Sequence, residues 1–132
     1  LDGYTDERLL DRCHPPVFGL GMYRHLADSH ITLNTHIDLA AGQASNMRLF
    51  EATGVGACLL TEWQPDLHNY FKPDEEVVTY RSAEEAAEKV RYLLGHEAER
   101  FRIAQAGKAR THQEHGFDRR AQALNKLIQN HL

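Results

Sequence analysis

The spacing of apolar positions changes from one segment of the chain to the next, and this spacing predicts the secondary structure. Three short apolar runs are typical of buried strands. They are 31–33, 57–60 and 76–80. In the other segments, apolar residues recur every three or four positions, as in helices with one buried face. The predicted helices are 19–29, 46–53, 83–94, 97–114 and 117–130, with a short one at 66–71 that Asp66 would cap.

Residues with strong positional preferences mark where these helices begin and end. Ser45 is expected to cap the second helix, with Met47 and Phe50 facing inward and Leu49 as a further candidate for that face. Gly54 and Gly56 are expected to end it. A capping box formed by Ser82 and a glutamate three residues later starts the helix at 83–94, which is the clearest prediction.

The first 18 residues predict an irregular lead-in. A short helix could begin after Thr5, but Pro15 and Pro16 would end it, because proline cannot continue a helix.

The order of the elements predicts the fold class. Strands that alternate with helices are typical of parallel βαβ units. We therefore expect one α/β domain over 1–132, with a Rossmann-like parallel sheet, flanking helices and a helical carboxyl-terminal end over 96–132. Three strands are few for such a sheet, so we expect the remaining strands to lie in chain that is absent here.

Composition narrows the classes of function. A chain of 132 residues is one domain, and a net charge of −4 argues against a broad nucleic-acid surface. No apolar run reaches the roughly 18–20 residues that span a bilayer. The only two cysteines, Cys13 and Cys58, indicate a reduced cytoplasmic protein without a disulfide framework. Of nine histidines, His112 and His115 are three residues apart but lack a third ligand, so we expect no metal site.

In open α/β sheets, ligands bind beyond the carboxyl ends of the strands. That rule selects three loops in this chain. They are 34–45, 61–63 and 81–82. The first loop leads into a helix amino terminus at 45–47, where free amides favour an anion such as phosphate. His36 follows the first strand and is expected to contact a substrate or a phosphate.

Three residues near these loops each have two interpretations. Arg48 either meets a phosphate or carboxylate of a ligand or pairs with a surface acid. Glu51 either contacts a ligand or forms an intrahelical pair with Arg48. Trp63 either stacks on a base or sugar or covers the sheet edge.

The segment 46–62 resembles the donor-binding half of group 1 glycosyltransferases with the GT-B fold, and in particular their spore-maturation-protein branch. Further segments agree with that branch in the same order along the chain. They are 33–36, 65–67 with Phe71, 78–82 with Glu84 and Glu85, Gly107, and 115–117. The resemblance spans roughly residues 19–132.

The resemblance implies a specific site. In that family, two Rossmann-like domains face each other, and the carboxyl-terminal one binds a nucleotide diphosphate sugar. A Glu–seven residues–Glu motif contacts the sugar with its first Glu and the ribose with its second. Glu51 matches the second position, and Gln43 stands at the first. The donor-binding candidates are Gln43, Ser45, Asn46, Met47, Arg48 and Glu51, together with His36, Thr61 and Glu62 at the strand ends.

The same resemblance implies chemistry without a metal or cofactor, in which the helix dipole and basic side chains stabilise the leaving diphosphate. No match to the family's basic pair is found, so catalytic residues stay unassigned.

Two hypotheses follow. The first is the donor domain of a glycosyltransferase whose amino-terminal acceptor domain is absent from this chain and which is inactive in isolation. The alternative is a non-catalytic α/β binding or assembly module. Glu51 favours the first hypothesis, and Gln43 favours the second.

Overall fold

The computed structural model describes residues 8, 12–36, 43–44 and 46–131, and the structural statements below refer to these residues. Five helices and three strands follow one another in the predicted order. They are α1 (Gly19–Asp28), β1 (Ile31–Asn34), α2 (Arg48–Val55), β2 (Cys58–Glu62), β3 (Val78–Tyr80), α3 (Ala83–Gly95), α4 (Glu97–Glu114) and α5 (Phe117–His131), with a 3-10 turn at Leu67–Asn69. The predicted helix after Thr5 lies almost wholly outside the described residues, and residues 13–18 form no helix or strand.

The three strands form one parallel sheet in the order β1-β2-β3. The register pairs Asn34 with Thr61 and Thr61 with Thr79, so the carboxyl ends of all three strands lie at the same edge. The predicted α/β class with a parallel sheet is therefore confirmed.

Helices cover both faces of the sheet, because successive side chains of a strand point to opposite sides. Leu59 of β2 belongs to the apolar cluster formed with α1 and α2, whereas its neighbours Cys58 and Leu60 belong to the cluster formed with α3 and α4. The first cluster contains Leu26, Ala44, Leu49, Ala52, Ala57, Leu59, Leu67, Phe71 and Val77. The second contains Cys58, Leu60, Val78, Leu93, Ile103 and Ala104. β2 is thus the buried centre of a doubly covered sheet.

Helix α2 differs from its prediction at both ends. It begins at Arg48, two residues later than expected, and Gly54 remains inside it. Gly56 ends it, with φ at 88°, in the left-handed region that favours glycine. The prediction that Met47 faces inward is wrong: its side chain is 72% exposed, whereas Leu49 is fully buried. At 100° per residue Met47 lies on the side of the helix opposite the buried Leu49 face.

Other boundaries also differ from the predictions. β2 continues to Glu62 and includes Thr61, which is buried and bonded to Asn34, and β3 begins only at Val78. Asp66 does not cap the short helix as predicted, since its carboxylate accepts the N–H of Ala44 at 2.7 Å instead.

The capping box of α3 is confirmed in part. The hydroxyl of Ser82 accepts the N–H of Glu85 at 3.2 Å, as predicted. The returning bond differs, because the Glu85 carboxylate accepts the N–H of Arg81 rather than that of Ser82, at 2.8 Å. Both bonds satisfy amides near the start of the helix, which has no earlier turn to accept them.

Helix α5 forms as predicted, but none of its described residues is buried. Phe117 is 94% exposed, and Leu124, Leu127 and Ile128 are also exposed. None of the helices in the described part of the chain is both long enough and apolar enough to cross a bilayer.

Candidate functional site

Polar side chains connect the ends of β1 and β2 to the start of α2. The amide nitrogen Nδ2 of Asn34 donates to Thr61 Oγ1 at 2.9 Å, and both residues are buried. Asn46, just before α2, donates from Nδ2 to Asn34 Oδ1 at 3.0 Å and to the carbonyl of Thr35 at 3.1 Å. Asn46 thereby fixes the approach to α2 against the exit of β1.

Glu62, the last residue of β2, holds the turn that follows β1. Its Oε2 accepts the hydroxyl of Thr35 and the backbone N–H of His36, both at 3.1 Å. These two donors, the His36 amide first, lower the pKa of Glu62 below its ordinary value. The carboxylate is therefore ionised near neutral pH and bound to the turn in that form.

The end of β3 closes the same network. The hydroxyl of Tyr80 reaches past β2 and donates to the carbonyl of Asn34 at 2.8 Å, and burial raises the pKa of Tyr80. Beside it, the Arg81 guanidinium lies 3.7 Å from the ring centroid of Trp63. One face of the Trp63 ring is thus occupied by a cation.

Two atoms of this network are buried and lack a hydrogen-bond partner among the described residues. They are Nδ1 of His36 and Oδ1 of Asn46. The other ring nitrogen of His36, Nε2, lies 3.5 Å from Thr61 Oγ1. A third such atom, Thr32 Oγ1, lies on β1. Because buried polar atoms are nearly always bonded, the two side chains at the strand ends mark a place where a ligand or water would bind.

A groove of about 580 Å³ runs along the outer side of α2. Its walls are mostly apolar, with a few ionisable groups. The lining residues are Tyr23, Met47, Phe50, Glu51, Gly54, Val55, Thr111, His112, His115, Gly116, Phe117 and Arg120. The volume is in the range of small-molecule sites, which hold roughly 300–1,000 Å³.

Glu51 and Arg120 provide opposite charges in this groove. The Glu51 side chain is 15% exposed and forms an ion pair with Arg48 at 3.6 Å, so the predicted intrahelical pair is present. Arg120 lies with its guanidinium carbon 5.0 Å from the ring centroid of Phe50. The groove therefore combines apolar and aromatic surface with one carboxylate and one guanidinium.

His112 and His115 have structural contacts at the floor of the groove. His115 packs among the rings of Phe50, Tyr70 and Phe71, with its Nε2 2.9 Å from the Tyr70 carbonyl oxygen. The Nε2 of His112 lies 2.9 Å from the carbonyl oxygen of Gly54. Both rings bind the end of α4 to neighbouring backbone.

The described part of the chain shows neither a cluster of metal ligands nor a disulfide. No group of three or more His, Cys, Asp or Glu residues there is arranged to hold a metal ion. Both Cys13 and Cys58 are free, and burial raises the pKa of Cys58 to about 11, so its thiol stays protonated.

The candidate residues divide into two sets. The structure brings His36, Asn46, Thr61 and Glu62 together at the strand ends. Met47 and Glu51 line the groove, and Arg48 pairs with Glu51. Gln43 is exposed, and Ser45 lies outside the described residues.

Several residues of these two features were not named as donor-binding candidates. Asn34 and Tyr80 each end a strand, and that position was a usable signal. Arg120 had no such signal, because only the course of the chain into the first turns of α5 brings it to Phe50.

The whole chain can now be compared with known proteins. A family model described as glycosyl transferase-like matches residues 2–126. No curated protein matches the sequence. Because the matched segment covers nearly the full length, the chain belongs to the glycosyl transferase-like family.

Proposed function

We propose that this chain is the donor-binding domain of a glycosyltransferase and that it binds a nucleotide diphosphate sugar. The family match supports glycosyl transfer in general terms. The position of α2 supports the donor role more specifically, and it is the observation that carries the proposal.

The start of α2 borders both features of the site. Asn46, two residues before the helix, belongs to the strand-end network, while Met47 and Glu51 line the groove. Two of the first amides of α2 already donate to the carbonyls of residues 46 and 47, whereas the amides of residues 47 and 48 have no acceptor within the helix and attract anions. In this proposal the diphosphate binds at those amides, the nucleoside enters the groove, where Glu51 accepts from the ribose hydroxyls, and the sugar lies toward the strand ends.

The ion pair between Arg48 and Glu51 has a defined place in this arrangement. Arg48 lies in the first turn, where a cation opposes the helix dipole. A bound diphosphate would offset that cost, and Glu51 would keep the guanidinium near the anion. The proposed transfer needs no metal ion, because the helix amides and Arg48 supply the positive potential for the leaving diphosphate.

The acceptor would be bound by a second domain that is not part of these 132 residues. A single domain offers one wall of a cleft, so we expect the isolated chain to bind donor weakly and to transfer no sugar. Measurable sugar transfer by the isolated chain would contradict the proposal that a second domain is needed to bind the acceptor.

Calorimetric titration with UDP, GDP, UDP-glucose and GDP-mannose tests the proposal. We expect binding of at least one nucleotide, and a loss of about 10- to 100-fold in affinity for Glu51→Ala, because hydrogen bonds to a charged group are lost. Glu88→Ala is the matched control, since Glu88 is an exposed glutamate on α3, which covers the other face of the sheet.

An α/β module that binds or assembles without catalysis is the second candidate. Gln43 favours it, since an amide replaces a carboxylate at the position expected to contact the sugar. Absence of binding to all four nucleotides, or equal affinities of wild type and Glu51→Ala, would favour this module over a donor site.

A further inference from the structure

We infer that Nδ1 of His36 and Oδ1 of Asn46 form a donor–acceptor pair that recognises a hydroxyl of the transferred sugar, and that Glu62 is the residue that positions His36. The inference rests on the proposed donor site and adds to it a defined role for the strand-end network. It starts from the two buried atoms that have no partner among the described residues.

The hydrogen bonds around Asn46 leave its free atom as an acceptor. Its Nδ2 faces two oxygens, Asn34 Oδ1 at 3.0 Å and the Thr35 carbonyl at 3.1 Å. That pattern fixes the orientation of the amide, since the reverse orientation would place oxygen against oxygen. The remaining atom, Oδ1, can only accept a hydrogen bond.

The free nitrogen of His36 has the opposite character. Thr61 Oγ1 already accepts from Asn34 Nδ2 at 2.9 Å, and its own hydrogen faces two acceptors at 3.5 Å, the Glu62 carbonyl and His36 Nε2. When Nε2 accepts, the proton of the neutral ring is carried by Nδ1. We assign this tautomer from the hydrogen-bond network, and it makes Nδ1 a donor.

One donor and one acceptor match a hydroxyl better than a phosphate. A sugar hydroxyl both donates and accepts, so the hydroxyls of a sugar can satisfy a buried donor and a buried acceptor alike. An ionised phosphate oxygen only accepts, so it would satisfy His36 but leave Asn46 Oδ1 unpaired at a substantial cost. The pair therefore selects the sugar rather than the diphosphate.

Glu62 determines where the imidazole lies. Its carboxylate accepts the backbone N–H of His36 and the hydroxyl of Thr35, which fixes the main chain on both sides of the peptide bond between them. Because Glu62 acts through the backbone, it is a positioning residue and need not touch the sugar.

Two substitutions at His36 separate the roles of its ring nitrogens. His36→Asn places an amide near the position of Nδ1, whereas His36→Gln places one near Nε2, beside Thr61. The readout is the ratio of affinities for UDP-glucose and UDP, or for GDP-mannose and GDP. This ratio isolates the sugar from the nucleoside and the diphosphate.

We expect His36→Gln to lower this ratio about 5- to 10-fold, since one hydrogen bond of ordinary strength is lost. His36→Asn is expected to keep most of the affinity ratio of the wild type, because its amide lies near the position of Nδ1. The control is His25→Gln, an exposed histidine on α1, which should leave the ratio unchanged. Glu62→Ala is expected to lower the ratio as much as His36→Gln, and the double variant no further. Glu62→Gln keeps an acceptor oxygen and should restore most of the ratio.

Each outcome has a separate meaning. If the wild type binds no nucleotide, the proposed function is wrong and this inference fails with it. If nucleotides bind but the sugar adds no affinity, or His36→Gln and His36→Asn leave the ratio equal, this inference alone is contradicted. Loss of the same factor for UDP and UDP-glucose would also contradict it, because His36 would then serve the ribose, the diphosphate or the fold.

Discussion

The strand-end network and helix α5 are opposite exceptions to the rule that polar residues are exposed and apolar residues are buried. At the strand ends, the polar residues Asn34 and Thr61 are almost completely buried, and their side chains bond to each other. In α5, the apolar residues Phe117 and Leu124 are exposed. Spacing along the chain thus predicts which element forms, whereas burial depends on what the fold places against it.

The difference has a physical cause in the sheet. The carboxyl ends of parallel strands are packed between helices, so their polar side chains must find partners inside the protein. Asn46 and Thr61 are those partners for the side chain of Asn34, and Tyr80 donates to its backbone carbonyl. Nothing comparable lies over α5, and no described segment buries any of its residues.

The largest expected contrast is in the free energy of unfolding. Leu59→Ala removes a fully buried side chain between α1 and α2 and should cost about 2–5 kcal/mol. Leu124→Ala on α5 should change stability by less than about 0.5 kcal/mol, because the leucine is already exposed. Urea denaturation of both variants measures the two effects. Similar losses would mean that α5 is part of the cooperative core.

A second contrast uses polar residues. Asn34→Ala removes one hydrogen bond from Nδ2 of Asn46 and one from the hydroxyl of Thr61. The loss should lower the free energy of unfolding by about 1–3 kcal/mol. The matched change in α5, Asn125→Ala, should be neutral or slightly stabilising, because Asn125 is exposed and alanine favours helices. Equal changes in melting temperature for the two variants would show that the hydrogen bonds of Asn34 add no stability to the folded chain.

The smallest contrast is a pH dependence. The pKa of Glu62 is lower in the folded chain than its ordinary value of 4.5, so its contribution to stability is present above that value and is lost as the pH falls below it. Glu62→Gln should therefore be less stable than wild type at pH 7 by about 0.5 kcal/mol or less, since the group is near the surface.

Unfolding of both proteins from pH 3 to pH 7 measures this effect. The difference should disappear at the acid end. A difference that persists unchanged at pH 3 would argue that the charge of Glu62 is irrelevant to the turn it binds.

Local signals in the sequence were sufficient for much of the fold. The capping box at Ser82, the left-handed Gly56 and the continuous apolar run of β2 each act within a few residues, so their consequences can be read directly. The prediction for Met47 was wrong because Leu49, the further candidate for the inward face, is the residue that packs in the core, and Met47 lies on the other side of the helix.

The site was less accessible to sequence reasoning. His36, Asn46, Thr61 and Glu62 were selected because they follow strands or precede a helix, and the parallel sheet does bring them together. The separate role of each of these residues could not be predicted from their spacing along the chain. It depends on bonds between residues 25–27 positions apart, such as those from Glu62 to the turn after β1.

Backbone amide NMR during titration with the nucleotide sugar that binds best would locate the donor site. A donor site at the start of α2 should give chemical-shift changes at Thr35, His36 and the segment from Asn46 to Glu51, and none in the exposed half of α5 beyond Leu124. Changes confined to α5, or no changes at the strand ends at saturating ligand, would contradict a donor site at the start of α2.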